Sequence, residues 1–304
     1  MTELSQTVFD KYQIRKTKKQ KLEFIRFLQT HIPTLQVQEG GVPRNRNLVI
    51  GDPSSAKIIL GAHYDTCARL PFPNFITPKR PVVAIGYSVL MVIPYLLLVL
   101  LLNLLLGLFS KDPQVHYLIS VAAYFLFMLL LISGPANRHT ANDNTSGVIT
   151  LLEIYQSMDT AAREKVCFVF FDNEEKGLLG SSFFRKKFKK QIKQTLMVNF
   201  DCVSDGDHFL IALSKKANQH YHVAAARAFT PTGQKQVLFE NLKKVYYPSD
   251  QAGFPQAVAI ASLKYIKPFG YYMNRIHTKR DTVFDESNIR YLTERTIQLI
   301  ENMN

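Results

Sequence analysis

Cysteine is scarce in this chain: Cys67, Cys167 and Cys202 are the three in 304 residues. They form no CxxC and no paired framework, which excludes a disulfide-stapled fold and suits a reducing compartment. A secretory leader is not expected, because Met1-Thr2-Glu3-Leu4-Ser5 leads into charged sequence instead of an apolar core. Internal repeats and a low-complexity tail are also missing. Acidic residues are the scarcer charge, 24 against 37 Lys and Arg, for a formal net charge of +13. That balance calls for a negatively charged partner. The main contributors are Arg15-Lys16-Thr17-Lys18-Lys19-Gln20-Lys21 and Arg185-Lys186-Lys187-Phe188-Lys189-Lys190. No recognisable nucleic-acid reading motif accompanies them, so anionic lipid headgroups are the expected partner, at about 1 kcal/mol per basic residue near the surface.

Apolar residues, by contrast, make up 47% of the chain, ample for a core. Two runs stand out. Val82 to Phe109 has no charged side chain over about 28 residues, enough at 1.5 Å per residue to cross a hydrocarbon core of about 30 Å with tilt. Val115 to Ser133, about 19 residues without Asp, Glu, Lys or Arg, also suffices. Joined by Ser110-Lys111-Asp112-Pro113-Gln114, they are expected to form a transmembrane helical hairpin over 81–134. A soluble hydrophobic lid is the competing reading, disfavoured by so long and uniform a run. Gly86 and Pro94 are kink points, and Asn103 needs a partner within the pair. The hairpin interrupts a discontinuous domain of residues 1–80 and 135–304. Lys79, Arg80 and Arg138 flank it, whereas the connecting loop holds one Lys and one Asp. The positive-inside rule therefore places both soluble parts and both termini on the cytoplasmic side of a cell membrane.

Outside the hairpin, helical and strand patterns alternate. A helix is expected from about Val8 to His31, and strands around 34–38, 48–50, 57–62, 166–171, 196–200, 209–213, 235–239 and 257–263. Helices are expected from Val148, over about 177–188, near 221–229 and from about Ser287 to Glu301. This alternation argues for an α/β fold with a largely parallel sheet covered on both faces.

Chemistry-bearing residues gather where strands end. His63-Tyr64-Asp65 closes the apolar run Ile58–Ala62, and loops beyond strand ends are where α/β proteins put their sites. Asp65 could fix the His63 ring in one tautomer. Asn142-Asp143-Asn144-Thr145-Ser146-Gly147 precedes a helix, where an ordinary N-cap would use the same residue types. Asp172-Asn173-Glu174-Glu175 follows a buried strand, and adjacent carboxylates there are costly to desolvate unless something positive shares the site. Asp201 ends a third strand, and His277 precedes the final helix. Taken singly, each is ordinary. Together they supply five candidate metal ligands, with a spare carboxylate for a proton, the inventory two catalytic zinc ions would need.

All five segments occur in the order of a known family. The chain resembles the zinc-dependent exopeptidases of the aminopeptidase/glutaminyl cyclase superfamily, most closely the dizinc aminopeptidases, over roughly residues 10–80 and 135–304. The resemblance implies a three-layer α/β/α sandwich around a mixed sheet. It implies two zinc ions per chain, with His63 and Asp201 completing one shell, Glu175 and His277 the other, and Asp143 bridging. It gives Glu174 the role of general base and Asp65 that of orienting His63. Tyr246, three residues before Ser249-Asp250, is similar to an oxyanion-stabilising tyrosine, although Gln251-Ala252-Gly253 stands where many relatives place a histidine. Peptides with free N-termini are the implied substrates. With a hairpin between two ligand-bearing motifs, hydrophobic or membrane-derived peptides are expected to be preferred. Two alternatives stay open: a glutaminyl-cyclase-like acyltransferase using one zinc, and a catalytically silent membrane receptor or scaffold.

Overall fold

A computed structural model describes residues 1–70 and 72–303. Helices α1 (Glu3–Lys11) and α2 (Lys18–His31) open the chain, followed by strands β1 (Gln36–Gly40), β2 (Asn45–Ile50) and β3 (Ile58–His63). The apolar helices α3 (Pro81–Leu106) and α4 (Pro113–Ser133) come next, then α5 (Gly147–Ser157), α6 (Thr160–Arg163), β4 (Val166–Phe171), α7 (Leu179–Lys187) and β5 (Leu196–Phe200). The remainder is β6 (His208–Leu213), α8 (Lys215–Ala228), β7 (Gln236–Asn241), β8 (Ala257–Ile266), β9 (Gly270–Tyr272) and α9 (Glu286–Asn302).

The strands make one mixed sheet in the order β1-β2-β4-β3-β5-β8-β6-β7, with β9 paired to β8. Its centre, β4-β3-β5-β8, is parallel, and antiparallel pairings lie on both sides. Alternation along each strand assigns the layers. Ile58, Leu60, Phe168 and Phe170 share one core with Val8, Phe24, Leu151 and Leu292 of the helices on that side. Ile59, Cys167, Val169 and Phe171 point the other way, against Phe184 of α7. The result is a three-layer α/β/α sandwich. Because β3, β4 and β5 run parallel in close register, their C-terminal ends bring His63, Asp172 and Asp201 to the same edge.

The opening helix expected from Val8 to His31 is broken. Thr17 starts α2 with a reciprocal capping box: its hydroxyl accepts from Gln20 N, while Gln20 Oε1 accepts from Thr17 N. The break turns Arg15 inward, fully buried. Its Nε donates to Tyr64 O at 2.5 Å and both terminal nitrogens reach Thr145 Oγ1 at 3.2 Å. Lys21 is also buried, held by Asp172 and by Asn173 Oδ1 at 2.9 Å. The first basic cluster is therefore only partly available to an anionic surface. Arg15 and Lys21 turn in because the carboxylates near the strand ends need countercharge.

Helices α3 and α4 pack on each other and contain no buried residue. Both are long and apolar enough to cross a membrane, and α3 runs through Pro94 unbroken. Asn103 finds its partners within the pair, donating to Ser120 Oγ at 2.9 Å and contacting His116 Nδ1 at 2.9 Å. At the base, Arg80 Nη1 donates to Pro268 O at 2.5 Å, Tyr87 to Pro73 O, and Lys16 Nζ to Ile132 O at 2.8 Å.

Candidate metal centre

His63, the last residue of β3, is buried. Its Nδ1 lies 3.0 Å from Asp65 O. A carbonyl only accepts, so Nδ1 carries the proton and Nε2 faces Asp143 Oδ1 at 3.3 Å and Asp201 Oδ1 at 3.6 Å. This differs from the expected carboxylate contact. The Asp65 carboxylate is 3.7 Å from Nδ1 and accepts instead from Glu174 N at 2.9 Å and Glu175 N at 3.3 Å. Asp65 thus holds the ring with its main chain and the two glutamates with its side chain.

The turn Ala141–Ser146 is more than a helix cap. Asn144 Oδ1 does accept from Gly147 N at 3.0 Å, but also from Cys202 N at 3.3 Å, while its Nδ2 donates to Phe200 O at 3.0 Å. Asn142 Oδ1 accepts from Ser204 N at 2.7 Å and Asp205 N at 3.0 Å. A buried carboxylate that the sequence reasoning missed, Asp281, accepts from Asn142 N at 2.8 Å and Asp143 N at 3.0 Å. The two asparagines bolt the turn to the loop after β5, and Gly147 admits close approach because a Cβ would lie 2.4 Å from Phe200 O. The Asp143 carboxylate is left facing both histidines, with Oδ2 2.8 Å from His277 Nε2.

Across Asp143, His277 Nε2 also lies 3.4 Å from Glu175 Oε2, while Glu175 Oε1 is buried with no hydrogen-bond partner among the described residues. Ligand atoms of His63, Asp143 and Asp201 all lie within 4.8 Å of one another, as do those of Asp143, Glu175, His277 and Cys67. Glu174 lies within the same distance of His63 and Glu175. Burial pushes the Cys67 thiol well up. Cys202 Sγ contacts Asp201 Oδ1 at 3.1 Å, and Tyr247, not Tyr246, donates to Asp201 O, at 2.9 Å. Tyr246 reaches the adjoining cavity but is 58% exposed, its main-chain N donating to Pro78 O at 2.8 Å.

Burial opposes charge here, and the groups respond in opposite directions. It pushes Glu174 well up, Glu175 to about 7, Asp281 to about 8 and Asp250, whose oxygens have no hydrogen-bond partner among the described residues, to about 7. Burial lowers His277, but Glu175 and Asp143 outweigh it and lift the ring to about 10. His63 is likewise raised against burial by Glu174, Asp143 and Asp201. A crowd of buried carboxylates and imidazoles with an orphaned Glu175 oxygen fits a cationic occupant, and nitrogen plus carboxylate oxygen is a donor set zinc accepts.

The cluster forms one end of a cavity of about 550 Å³ that continues between α3 and α4, past Met91, Tyr95 and Phe127.

A family model described as peptidase family M28 matches residues 124–300. No curated protein sequence matches the chain. Among solved structures, the LapA aminopeptidase of Legionella pneumophila is similar at 14% identity and a TM-score of 0.54, over 99% of this chain and 69% of that one. A Zn-dependent exopeptidase from Parabacteroides distasonis is similar at 14% identity and a TM-score of 0.55, over 98% and 94%. A glutaminyl cyclase from Fimbriiglobus ruber gives 15% identity and a TM-score of 0.52, over 99% and 94%. At such identities these structures speak for the fold, which agrees with the sandwich described above. With the family match spanning more than half of the sequence, the chain belongs to peptidase family M28.

Proposed function

We propose that this M28 peptidase is a membrane-anchored zinc aminopeptidase that removes N-terminal residues from peptides, with apolar peptides favoured. The observation that carries the reading is the position of Asp143. One of its oxygens faces His63 and the other His277, with Asp201 beyond the first ring and Glu175 beyond the second. A carboxylate so placed would serve both ligand sets. His63 and Asp201 would hold one zinc, Glu175 and His277 the other. When bound, two such ions lower the pKa of water and polarise a peptide carbonyl.

The remaining work falls to the chain's own residues. Glu174 has no place in either set, yet lies beside both, and its main chain is fixed by Asp65. It takes the proton of the attacking water and passes it to the leaving amine. Tyr246, on the rim of the cavity, would donate its hydroxyl to the oxyanion. The domain of 1–80 and 135–304 carries the chemistry, and the hairpin of 81–134 anchors it with the catalytic side cytoplasmic.

Detergent-purified protein is expected to hold two zinc ions per chain and to release free N-terminal residues from a peptide panel. One zinc per chain with cyclisation of N-terminal glutamine would favour the acyltransferase alternative. Glu174→Gln is expected to retain zinc and lose roughly 10²–10⁴-fold in kcat, the usual contribution of a positioned general base. Undiminished turnover in that variant would refute the assignment.

A further inference from the structure

The cavity does not stop at the metal centre. From α3 it is lined by Ala84, Tyr87, Ser88, Met91, Val92 and Tyr95, a spacing of three and four that makes a single helix face. From α4 it is lined by Tyr124, Phe127, Met128 and Leu131, again one face. The helices run antiparallel, so Ala84 and Leu131 sit at the base, near the α/β body, and Tyr95 stacks on Phe127 at the far end, 5.0 Å between ring centroids. The eleven steps from Ala84 to Tyr95 at 1.5 Å each make this wall about 16 Å long.

We infer that this groove binds the residues that follow the cleaved one, so that the substrate is a peptide whose first four or five positions after its N-terminal residue are apolar and reach from the metal centre down between α3 and α4. The inference rests on the aminopeptidase reading and extends it. An aminopeptidase has one residue before the scissile bond, and a single side chain is shorter than three turns of helix. The rest of the groove therefore belongs to the leaving portion of the chain. Extended at about 3.3 Å per residue, roughly five residues span it.

The chemistry of the walls sets what those residues can be. No charged side chain comes from either helix face, so a charged substrate residue would be desolvated without a partner. The polar atoms on offer are hydroxyls. Ser88 and Tyr87 already donate to carbonyls of the protein, to Ala84 O and Pro73 O. The hydroxyls of Tyr95 and Tyr124 have no hydrogen-bond partner among the described residues, although both sit on helices apolar enough to lie in lipid. A main chain entering an apolar groove needs partners for its amides and carbonyls, and these two hydroxyls offer partners to two of them.

The test uses the full chain in lipid nanodiscs with zinc. Three substrates share an N-terminal leucine: the dipeptide Leu-Ala, the apolar hexapeptide Leu-Ala-Val-Leu-Ala-Val, and a hexapeptide with Ser, Lys and Glu after the leucine. The apolar hexapeptide is expected to exceed the polar one at least tenfold in kcat/KM, and Met91→Glu is expected to collapse that ratio. Cleavage of all three with no preference overturns the groove while leaving the aminopeptidase intact. No cleavage of any, including the dipeptide, removes the aminopeptidase reading and the groove with it. A second readout needs no turnover. An apolar hexapeptide with a benzophenone side chain at position four, bound to Glu174→Gln protein and irradiated, is expected to label the segments around Met91–Tyr95 or Tyr124–Met128. Labelling confined to other segments overturns the inference.

Discussion

Asp281 offers the sharpest test of how the metal centre is held, because it ligates nothing in the proposed site. Its carboxylate accepts from two consecutive amides, Asn142 N at 2.8 Å and Asp143 N at 3.0 Å, and is 1% exposed. Asp281→Ala leaves both buried donors unpaired. At roughly 1–3 kcal/mol for each orphaned group, the loss is about 2–6 kcal/mol. Asp281→Asn keeps the shape, but its amide nitrogen cannot accept, so one bond is lost and the cost is about half of that. The same two amides set the direction of the Asp143 carboxylate, which stands between His63 and His277. Zinc affinity and kcat/KM are therefore expected to fall along with stability, alanine worse than asparagine. Thermal unfolding with and without zinc, zinc content after dialysis, and kcat/KM on a leucyl peptide measure the three quantities. Asp281→Ala protein with wild-type zinc content and turnover would refute the link between this carboxylate and Asp143.

Two further outcomes follow from the raised and lowered groups around the centre. Burial lifts Asp250 to about 7 from an ordinary value of 3.8. The folded state then binds a proton more tightly than the unfolded one, so zinc-free protein loses stability as pH rises from about 4 to about 7, by about 4 kcal/mol from this group. Asp250→Asn is expected to flatten that decline, raising the zinc-free unfolding temperature more at pH 8 than at pH 5; an equal shift at both would count against it. In zinc-free protein, acidic neighbours hold His277 at about 10 and His63 well above the ordinary imidazole value, so both are protonated at pH 7. Zinc binding must expel those protons, one imidazole proton from each ligand set, so log affinity for each zinc should climb by about one for each pH unit gained near neutrality, and more steeply in the His277 set, where Glu175 also gives up a proton. Calorimetry in buffers of different ionisation heat reads the released protons directly, and a pH-independent affinity would contradict the arrangement.

The fold was legible because its signals are local. Ile58–Ala62, Val166–Phe171 and Leu196–Phe200 are short apolar runs with chemistry at their ends, and the sheet places those ends side by side. The two apolar helices were legible for the same reason, since length and uniformity suffice. The opening helix was misjudged because Leu22, Phe24, Ile25 and Leu28 carry a helical period that says nothing about Arg15. The Thr17–Gln20 capping box starts α2, and the fully buried path from Arg15 to Tyr64 O and Thr145 turns the preceding residues inward.

What stayed hidden are the groups that act through main-chain atoms of distant segments. Asp281 holds the amides of Asn142 and Asp143 from 138–139 positions away, and no spacing rule connects them. The Asn-Asp-Asn turn looked like a cap because a cap and a bolt use the same residues. What distinguishes them is whose amides the asparagines accept, and here those belong to Cys202, Ser204 and Asp205 as well as to the helix start. The sequence placed Asp65 beside His63, but which of its groups comes nearest the ring could not be read there: the carbonyl lies at 3.0 Å because the amides of Glu174 and Glu175 claim the carboxylate. Metal-centre residues can be nominated from strand ends and from the chemistry of their side chains. The residues that aim them are found only once the chain has folded, because their partners are backbone groups that every sequence shares.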